Sequence, residues 1–536
     1  MAKDLTSRAL VSSALLASDP RPHALVIGAG LGGLASAMRL GAKGYRVTVL
    51  DKLDRVGGRG SSISKDGHRF DLGPTIVTVP DVYEKLWQAC GRDFHADVDL
   101  RSLDPFYTIC WPDGETFTAR GDTDAMVEEV RRISPRDVDG YKQFLRDSRA
   151  RYVVGYEGMV RKPMHRAWET IKVLPTFGVL RADRSILGHA KARVKDERLR
   201  MALSFHPLFI GGDPMHVTSM YALVSHLEKE YGVHYAIGGV QAIADAMAGV
   251  IEDQGGAIHL GVEVDEILVE GEGRTARARG VRLADGTVVA SDIVVSNGDS
   301  GHTYTHLLRN LRRWRWTDRA MKRRRWSMGL FVWYFGTKGT ADMWGDVGHH
   351  TILAGPRYEG LLRDIFIRGH LADDMSLYLH RPSVTDPSVA PEGGDTFYAL
   401  SPVPHLGHDD PVDWAAEAAR YKDKVAANLE RAIPGFRERI SAEVTFTPED
   451  FRDRYLSPHG SGFSLEPRIL QSAWFRPHNV SEEAQGLFLV GAGTHPGAGV
   501  PGVVSSADVL AQVVPDPATI GPRAADAPTP QRMAAE

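Results

Sequence analysis

The stretch "ALVIGAGLGGLASAMRLGAKGYRVTVLDK", positions 24–52, constrains this chain more than any other. Ala24 to Ile27 form a short apolar run suited to a buried parallel strand. Gly28, Gly30 and Gly33 follow as G-x-G-x-x-G. Leu34, Ala37, Met38 and Leu40 then recur at helical spacing, and Gly44 closes the helix. A second apolar run, Val47 to Leu50, ends at Asp51. Strand, tight turn, helix, strand and terminal acid, in that order, make a dinucleotide-binding unit. In such a unit Gly28 permits the turn, Gly30 lets a backbone approach a pyrophosphate, and Gly33 lets the helix pack on the strand. The helix N-terminus offers free N–H groups to phosphates. Asp51 is placed for ribose hydroxyls, and its charge disfavours the extra phosphate of NADP.

The next residues bear on which dinucleotide. "DRVGGRGSSISKDGHRFDLGPT" puts Gly57, Gly58 and Arg59 on a loop and Asp71-Leu72-Gly73-Pro74 after a short strand. A nicotinamide dehydrogenase has no need of a second glycine pair and an arginine there. This stretch resembles the flavin-containing amine oxidase superfamily, in which that pair and arginine face the phosphates of FAD, and an arginine fork suits phosphate geometry. Near the other end, "GLFLVGAGTHPGAGVPGVVSSADVLAQVV" (486–514) reads as strand, glycine-rich turn and helix. Its glycines lack the G-x-G-x-x-G spacing, so one dinucleotide is expected, bound through both ends of the chain. Residues 256–299 alternate apolar and polar with turn signals and read as a β-meander. Besides Gly28, Gly30, Gly33 and Asp51, the resemblance implies FAD contacts at Gly58, Arg59, Pro74, Thr75, Val264, Gly493, Pro501, Gly502 and Val503.

Five further stretches narrow the resemblance: "FIGGDPMHVTSMYALVSHLEKEYGV", "YAIGGVQAIADAM", "LYLHRPSVTDPSVAPEGGDTFYALSPVPHL", "HGSGFSLEPRILQSAWFRPHN" and "GAGTHPGAGVPG". Together they resemble the bacterial phytoene desaturase family of carotenoid biosynthesis, over most of residues 24–512. The resemblance implies FAD-dependent dehydrogenation of a C40 polyene. Successive C–C bonds become C=C, taking 15-cis-phytoene toward neurosporene or lycopene, with electrons passed to quinone or oxygen. It leaves open a desaturase or isomerase of a later or shorter carotenoid. A different flavin oxidase of the amine oxidase fold and a non-catalytic FAD-binding scaffold also stay open.

The fold class expected is α/β. An FAD-binding Rossmann-like three-layer domain is assembled from residues 22–80, 240–300 and 485–512, and an interleaved α+β substrate domain from 81–239 and 301–484. Residues 1–21 are expected to be a flexible extension and 515–536, rich in Pro and Ala, a disordered tail. No run of eighteen apolar residues predicts a spanning helix. A carotene nevertheless resides in lipid, so membrane contact is expected from one of two regions. Residues 149–200 carry thirteen Lys or Arg against five Asp or Glu, with Val160, Met164, Trp168 and Ile171 at helical spacing. Residues 309–326 carry nine basic residues and Trp314, Trp316 and Trp326. No motif supports nucleic-acid binding. A net charge of −4 names no partner, and two cysteines argue against a disulfide scaffold or a thiolate metal site. The expected location is the cytoplasm, peripherally on the inner face of the cell membrane.

The apolar bore for such a substrate is expected from Phe205–Ile210, Tyr221–Leu227 and Leu330–Phe335. His495, inside the glycine-rich turn, is the candidate for proton handling, with a backbone-bracing role as its alternative. Asp147 and Arg149 are weaker candidates. His349-His350 and the other histidines show no metal-ligand spacing with acids or cysteines, and no metal is expected.

Overall fold

A computed structural model describes residues 19–520. At its centre lies a five-stranded, all-parallel sheet in the order Ala257–Leu260, Arg46–Asp51, His23–Ile27, Ile293–Ser296 and Leu487–Leu489. The near-continuous apolar strands follow from burial on both faces. Ala24 and Val26 point toward one face, where the helices Leu31–Lys43, Val240–Asp253 and Val500–Val513 pack. Leu25 and Ile27 point to the other, against Val264, Ile267, Val281 and Val289 of a three-stranded antiparallel meander. Helices, sheet and meander make three layers.

The meander is shorter than its alternating pattern suggested. It comprises Val264–Glu270, Arg277–Leu283 and Val288–Ala290. Ala257–Leu260 instead forms the parallel edge of the main sheet, with Ala257 opposite Thr48. The reason is the preceding helix, Val240–Asp253: a crossover helix delivers the next strand parallel, whereas alternation is blind to strand direction.

The second sheet is mixed and seven-stranded, in the order Ile440–Phe446, Gly329–Thr337, Asp395–Val403, Leu377–His380, His350–Leu353, Tyr107–Cys110 and Thr116–Ala119. Strand Gly329–Thr337 is buried along its whole length. Its period of two splits the expected bore segment. Leu330, Val332 and Tyr334 face the helical side, while Phe331, Trp333 and Phe335 lie on the other face with Trp414, Tyr421 and Val425 of the helix Trp414–Leu429.

The tail expected from 515 is fixed over its first residues. The Tyr45 hydroxyl donates to Pro515 O at 2.8 Å and Pro517–Thr519 forms a short helical turn. Residues 521–536 and 1–18 lie outside the described residues.

Candidate functional site, a nucleotide cradle opening into an apolar bore

Gly28 has φ +94°, a conformation costly for any side chain, and its N–H donates to Leu50 O at 2.7 Å, closing the turn. The turn aims the N-terminus of Leu31–Lys43 into a cavity of about 640 Å³. Gly28, Gly30, Asp51, Gly58, Arg59, Pro74, Thr75, Val264, Pro501, Gly502, Val503 and His495 all line it. Gly33 and Gly493 do not: both are spacers. A Cβ on Gly33 would meet Gly28 O at 1.9 Å, and one on Gly493 would meet Ser300 Oγ at 2.4 Å.

Asp51 is buried, and its two oxygens accept Ala29 N–H at 2.6 Å and Leu53 N–H at 2.7 Å. Burial raises its pKa above the ordinary value, against those two bonds. Each oxygen keeps acceptor capacity for a ribose hydroxyl. Across the cavity, Gly499 to Val503 begin the last helix, Val500–Val513, so two helix N-termini meet there. Arg59 packs by Ser457 and lies 3.9 Å from Asp299, and its Nε has no partner. An acid with spare acceptors, two convergent helix starts and an orphaned guanidinium N–H are a donor set that fits a dinucleotide with a pyrophosphate.

Sequence reasoning passed over Asn297 and Asp299. Asn297 Nδ2 donates to Gly28 O at 3.4 Å, and its side chain sits between Gly32 and Gly491, joining the two ends of the chain. The signal was present in "VVSNGD", directly after the strand Ile293–Ser296.

Beyond the cradle the cavity becomes an apolar bore, walled by Phe205, Phe209, Leu223, Leu330, Leu361 and Leu377 among others. Of Leu330–Phe335 only Leu330 reaches it: strand period turns Phe331, Trp333 and Phe335 to the other face, and Val332 and Tyr334 are packed within the core on its own face. One polar trio sits on the wall. Glu228 Oε2 accepts from Tyr107 OH and from His206 Nε2, both at 3.2 Å, and His206 Nδ1 is left without a partner. Tyr107 and Glu228 lie too far apart in the chain for spacing to connect them.

His495 lines the cavity, but its Nε2 donates to Met159 O at 3.2 Å, in the helical segment Val153–Val160. Burial holds its pKa down, to about 4, so at neutral pH it is uncharged and ties the glycine-rich turn to the segment Val153–Val160. Asp147 bonds Arg193 at 2.6 Å and His189 at 3.2 Å, Arg149 is exposed, and neither lines the cavity.

Behind the cradle, burial pushes the Asp71 carboxyl up to about 7, against the pull of Arg69. The folded state therefore holds this proton more tightly than the unfolded chain. Stability falls as pH rises from about 4 to about 7 and stays down above that. Asp71→Asn is expected to raise the thermal midpoint at pH 8 and leave it unchanged at pH 4, which melting curves at both pH values check.

The bore opens beside the helix Ala167–Val179, from which Thr170, Leu174 and Phe177 line the cavity. None of its residues is buried, and Trp168, Leu174 and Val179 are 60%, 52% and 83% exposed. Leu470, 63% exposed, stands in the segment Ile469–Gln471 of the same rim, with Ile469 lining the cavity. The stripe expected across 160–171 is not one helix: Met164 is buried in the connection between two segments. The second basic region keeps six of its nine basic residues exposed, but two of its three tryptophans are packed away. Trp316 and Trp326 are buried, and Trp316 stacks on Tyr304 under Arg324, which leaves Trp314 exposed.

The model of the family described as flavin containing amine oxidoreductase matches residues 31–515. The phytoene desaturase (neurosporene-forming) of Rhodobacter capsulatus is 68% identical over 92% of this chain and 94% of that protein. Its namesake in Cereibacter sphaeroides is 67% identical over 96% and 98%. The phytoene desaturase (lycopene-forming) of a Paracoccus species is 43% identical over 92% and 97%. Among solved structures, an oxidoreductase from Methanosarcina mazei superposes with a TM-score of 0.61 at 20% identity, over 90% of this chain and 98% of its own. A putrescine oxidase variant superposes at 0.59 and 14%, over 93% and 98%. The two structural likenesses concern the fold.

Proposed function

The chain belongs to the flavin-containing amine oxidoreductase family, and from that premise we propose that it is an FAD-dependent desaturase of 15-cis-phytoene that stops at neurosporene. The observation that carries this reading is a single cavity that joins a dinucleotide cradle to an apolar bore. A carotene needs a long, dry, largely apolar wall, and the bore supplies one, with Glu228 already engaged by His206 and Tyr107. Neurosporene as the end point is supported by the two relatives of 67–68% identity, against 43% for the lycopene-forming one.

When bound, FAD supplies the two-electron acceptor. The chain's residues do the rest. Gly28, Gly30, Asp51 and Arg59 hold the nucleotide, and the start of Val500–Val513 favours negative charge where its dipole points. The bore aligns the polyene and excludes water. His206, with Glu228 behind its Nε2–H, and His495, with Met159 O behind its Nε2–H, both line the cavity with Nδ1 unpartnered; of the two, His206 has the carboxylate that would stabilise it after taking the proton lost from carbon. The test is anaerobic mixing of the flavoprotein with 15-cis-phytoene in liposomes. One electron pair fills each flavin, so anaerobic bleaching with the band of the first desaturation product is expected. Admitting oxygen or a quinone should then build the conjugated bands of neurosporene, and silence with phytoene would overturn the assignment. In the same assay His206→Gln should slow bleaching, and an unchanged rate removes its proton role.

The exposed rim of Ala167–Val179 and Leu470 is suited to lie in a lipid surface, at the inner face of the membrane, so that the carotene passes directly into the bore. Quinone in that membrane, or oxygen, would take the electrons. Among the described residues no helix is long and apolar enough to span. Three apolar side chains leaving water outweigh what exposed charges contribute. A Trp168→Ser, Leu174→Ser, Val179→Ser triple variant is expected to bind vesicles at least about tenfold more weakly. Salt should release the wild type only in part, and cosedimentation measures both effects.

A further inference from the structure

His350 and His380 stand opposite each other across the antiparallel pair His350–Leu353 and Leu377–His380, and His349 precedes the first of these strands. Strand pairing thus brings His380 to two adjacent imidazoles some 30 positions earlier in sequence. All three are buried, at 6% exposure or less, and one ring nitrogen from each lies within 4.8 Å of the others. His349 Nε2 and His380 Nε2 are 3.0 Å apart. His350 Nε2 has no hydrogen-bond partner at all. A buried imidazole nitrogen left without a partner is costly and rare, so its persistence calls for a ligand.

We propose that His349, His350 and His380 bind one divalent first-row transition ion of the zinc class, as a site separate from the flavin cradle. Three imidazoles without thiolates suit zinc, copper, nickel or cobalt and not magnesium or calcium. The outer contacts match those of metal-bound histidines. His349 Nδ1 meets Thr385 Oγ1 at 2.7 Å and His350 Nδ1 meets the Tyr378 hydroxyl at 2.6 Å, and a hydroxyl accepting at Nδ1 turns Nε2 toward an ion. The buried Asp386 carboxylate, close enough to act on His349, supplies countercharge. Water would complete the tetrahedron.

The site has a structural reach into the cavity. Tyr378 OH also contacts Thr75 Oγ1 at 2.6 Å, and both residues line the cavity. An ion on His350 would fix Tyr378, and through it Thr75, at the junction of cradle and bore. Its part in this reading is positional: no electron or proton passes through it.

The experiment incubates the full-length flavoprotein with zinc, desalts it, and measures metal content and X-ray absorption. About one zinc per chain is expected, ligated by three imidazole nitrogens at roughly 2.0–2.1 Å. His380→Gln and His350→Gln should retain none above buffer while keeping their flavin spectrum, and Thr385→Val should bind about tenfold more weakly. Zinc should raise the melting midpoint of the wild type and not of the glutamine variants. No zinc in the wild type, zinc on other ligands, or variants that retain as much would each overturn the site and leave a hydrogen-bonded histidine cluster. If the variants fail to fold, the absorption spectrum of the wild type decides.

Discussion

Gly33→Val is expected to yield a chain that carries no flavin. A Cβ at this position would sit 1.9 Å from Gly28 O and 3.2 Å from Asn297 Cβ. Neither neighbour can yield cheaply. Gly28 is tied to Leu50 O by its own N–H, and Asn297 is held at the end of a strand whose Ile27 neighbour accepts its N–H at 2.8 Å. The remaining escape is to lift the helix Leu31–Lys43 off its sheet, which withdraws its N-terminus from the phosphates and opens the core around Ala37 and Val26. Overpacking of this kind costs about 3 kcal/mol or more. Spent on the cradle, that is roughly a hundredfold in affinity. Gly41 lies in the same helix and faces only the movable end of Gln254, so Gly41→Ala is expected to load normally. The flavin-to-protein absorbance ratio of the two purified variants compares them directly. Full loading of Gly33→Val would mean that the helix is not clamped as described.

Arg381→Met is expected to unfold the region around the seven-stranded sheet at temperatures the wild type tolerates. Arg381 and Asp395 are 4% and 2% exposed and form a bidentate pair, Nε to Oδ1 at 2.9 Å and Nη2 to Oδ2 at 3.0 Å. Ser383 and Thr340 hydroxyls complete the carboxylate, and Trp344 O takes a further guanidinium N–H at 2.8 Å. Removing the arginine leaves a charge in the interior with two hydroxyls in place of a counterion, a loss of about 3–5 kcal/mol. Removing both charges, in Arg381→Met with Asp395→Leu, should recover much of it. Thermal unfolding of the two single variants and the double variant measures the coupling. Near-equal midpoints for all of them would place the stability of this sheet elsewhere.

The stretch from Leu377 to Leu406 is informative as sequence only through its resemblance; that it holds both partners of the buried pair emerges from the structure. The cradle could be read directly, because Gly28, Gly33 and Asp51 sit within one βαβ unit whose spacing is set by a tight turn. What depends on distant pairing could not. The alternation at 257–260 says nothing about strand direction, and the run 330–335 says nothing about which face holds the bore. Trp316 and Trp326 look interfacial beside nine basic residues until Tyr304 and Arg324 are seen to enclose the first of them. Glu228 and His380 each gain their meaning from a residue on another element, so their neighbours in sequence carry no hint of it.

The three-layer domain is closed by the last strand and helix of the chain: Lys43 Nζ donates to Ala511 O, 468 positions later. Ribosomes add about 5–20 residues each second, so the first helix waits on the order of half a minute or more for the partner that completes its core. During that interval one edge of the parallel sheet, Ile293–Ser296, is unpaired and the apolar face of Leu31–Lys43 is open to other chains. The cradle cannot close on its ligand until the helix Val500–Val513 has been made, so a chain halted before that point has an open sheet edge and half a cofactor site.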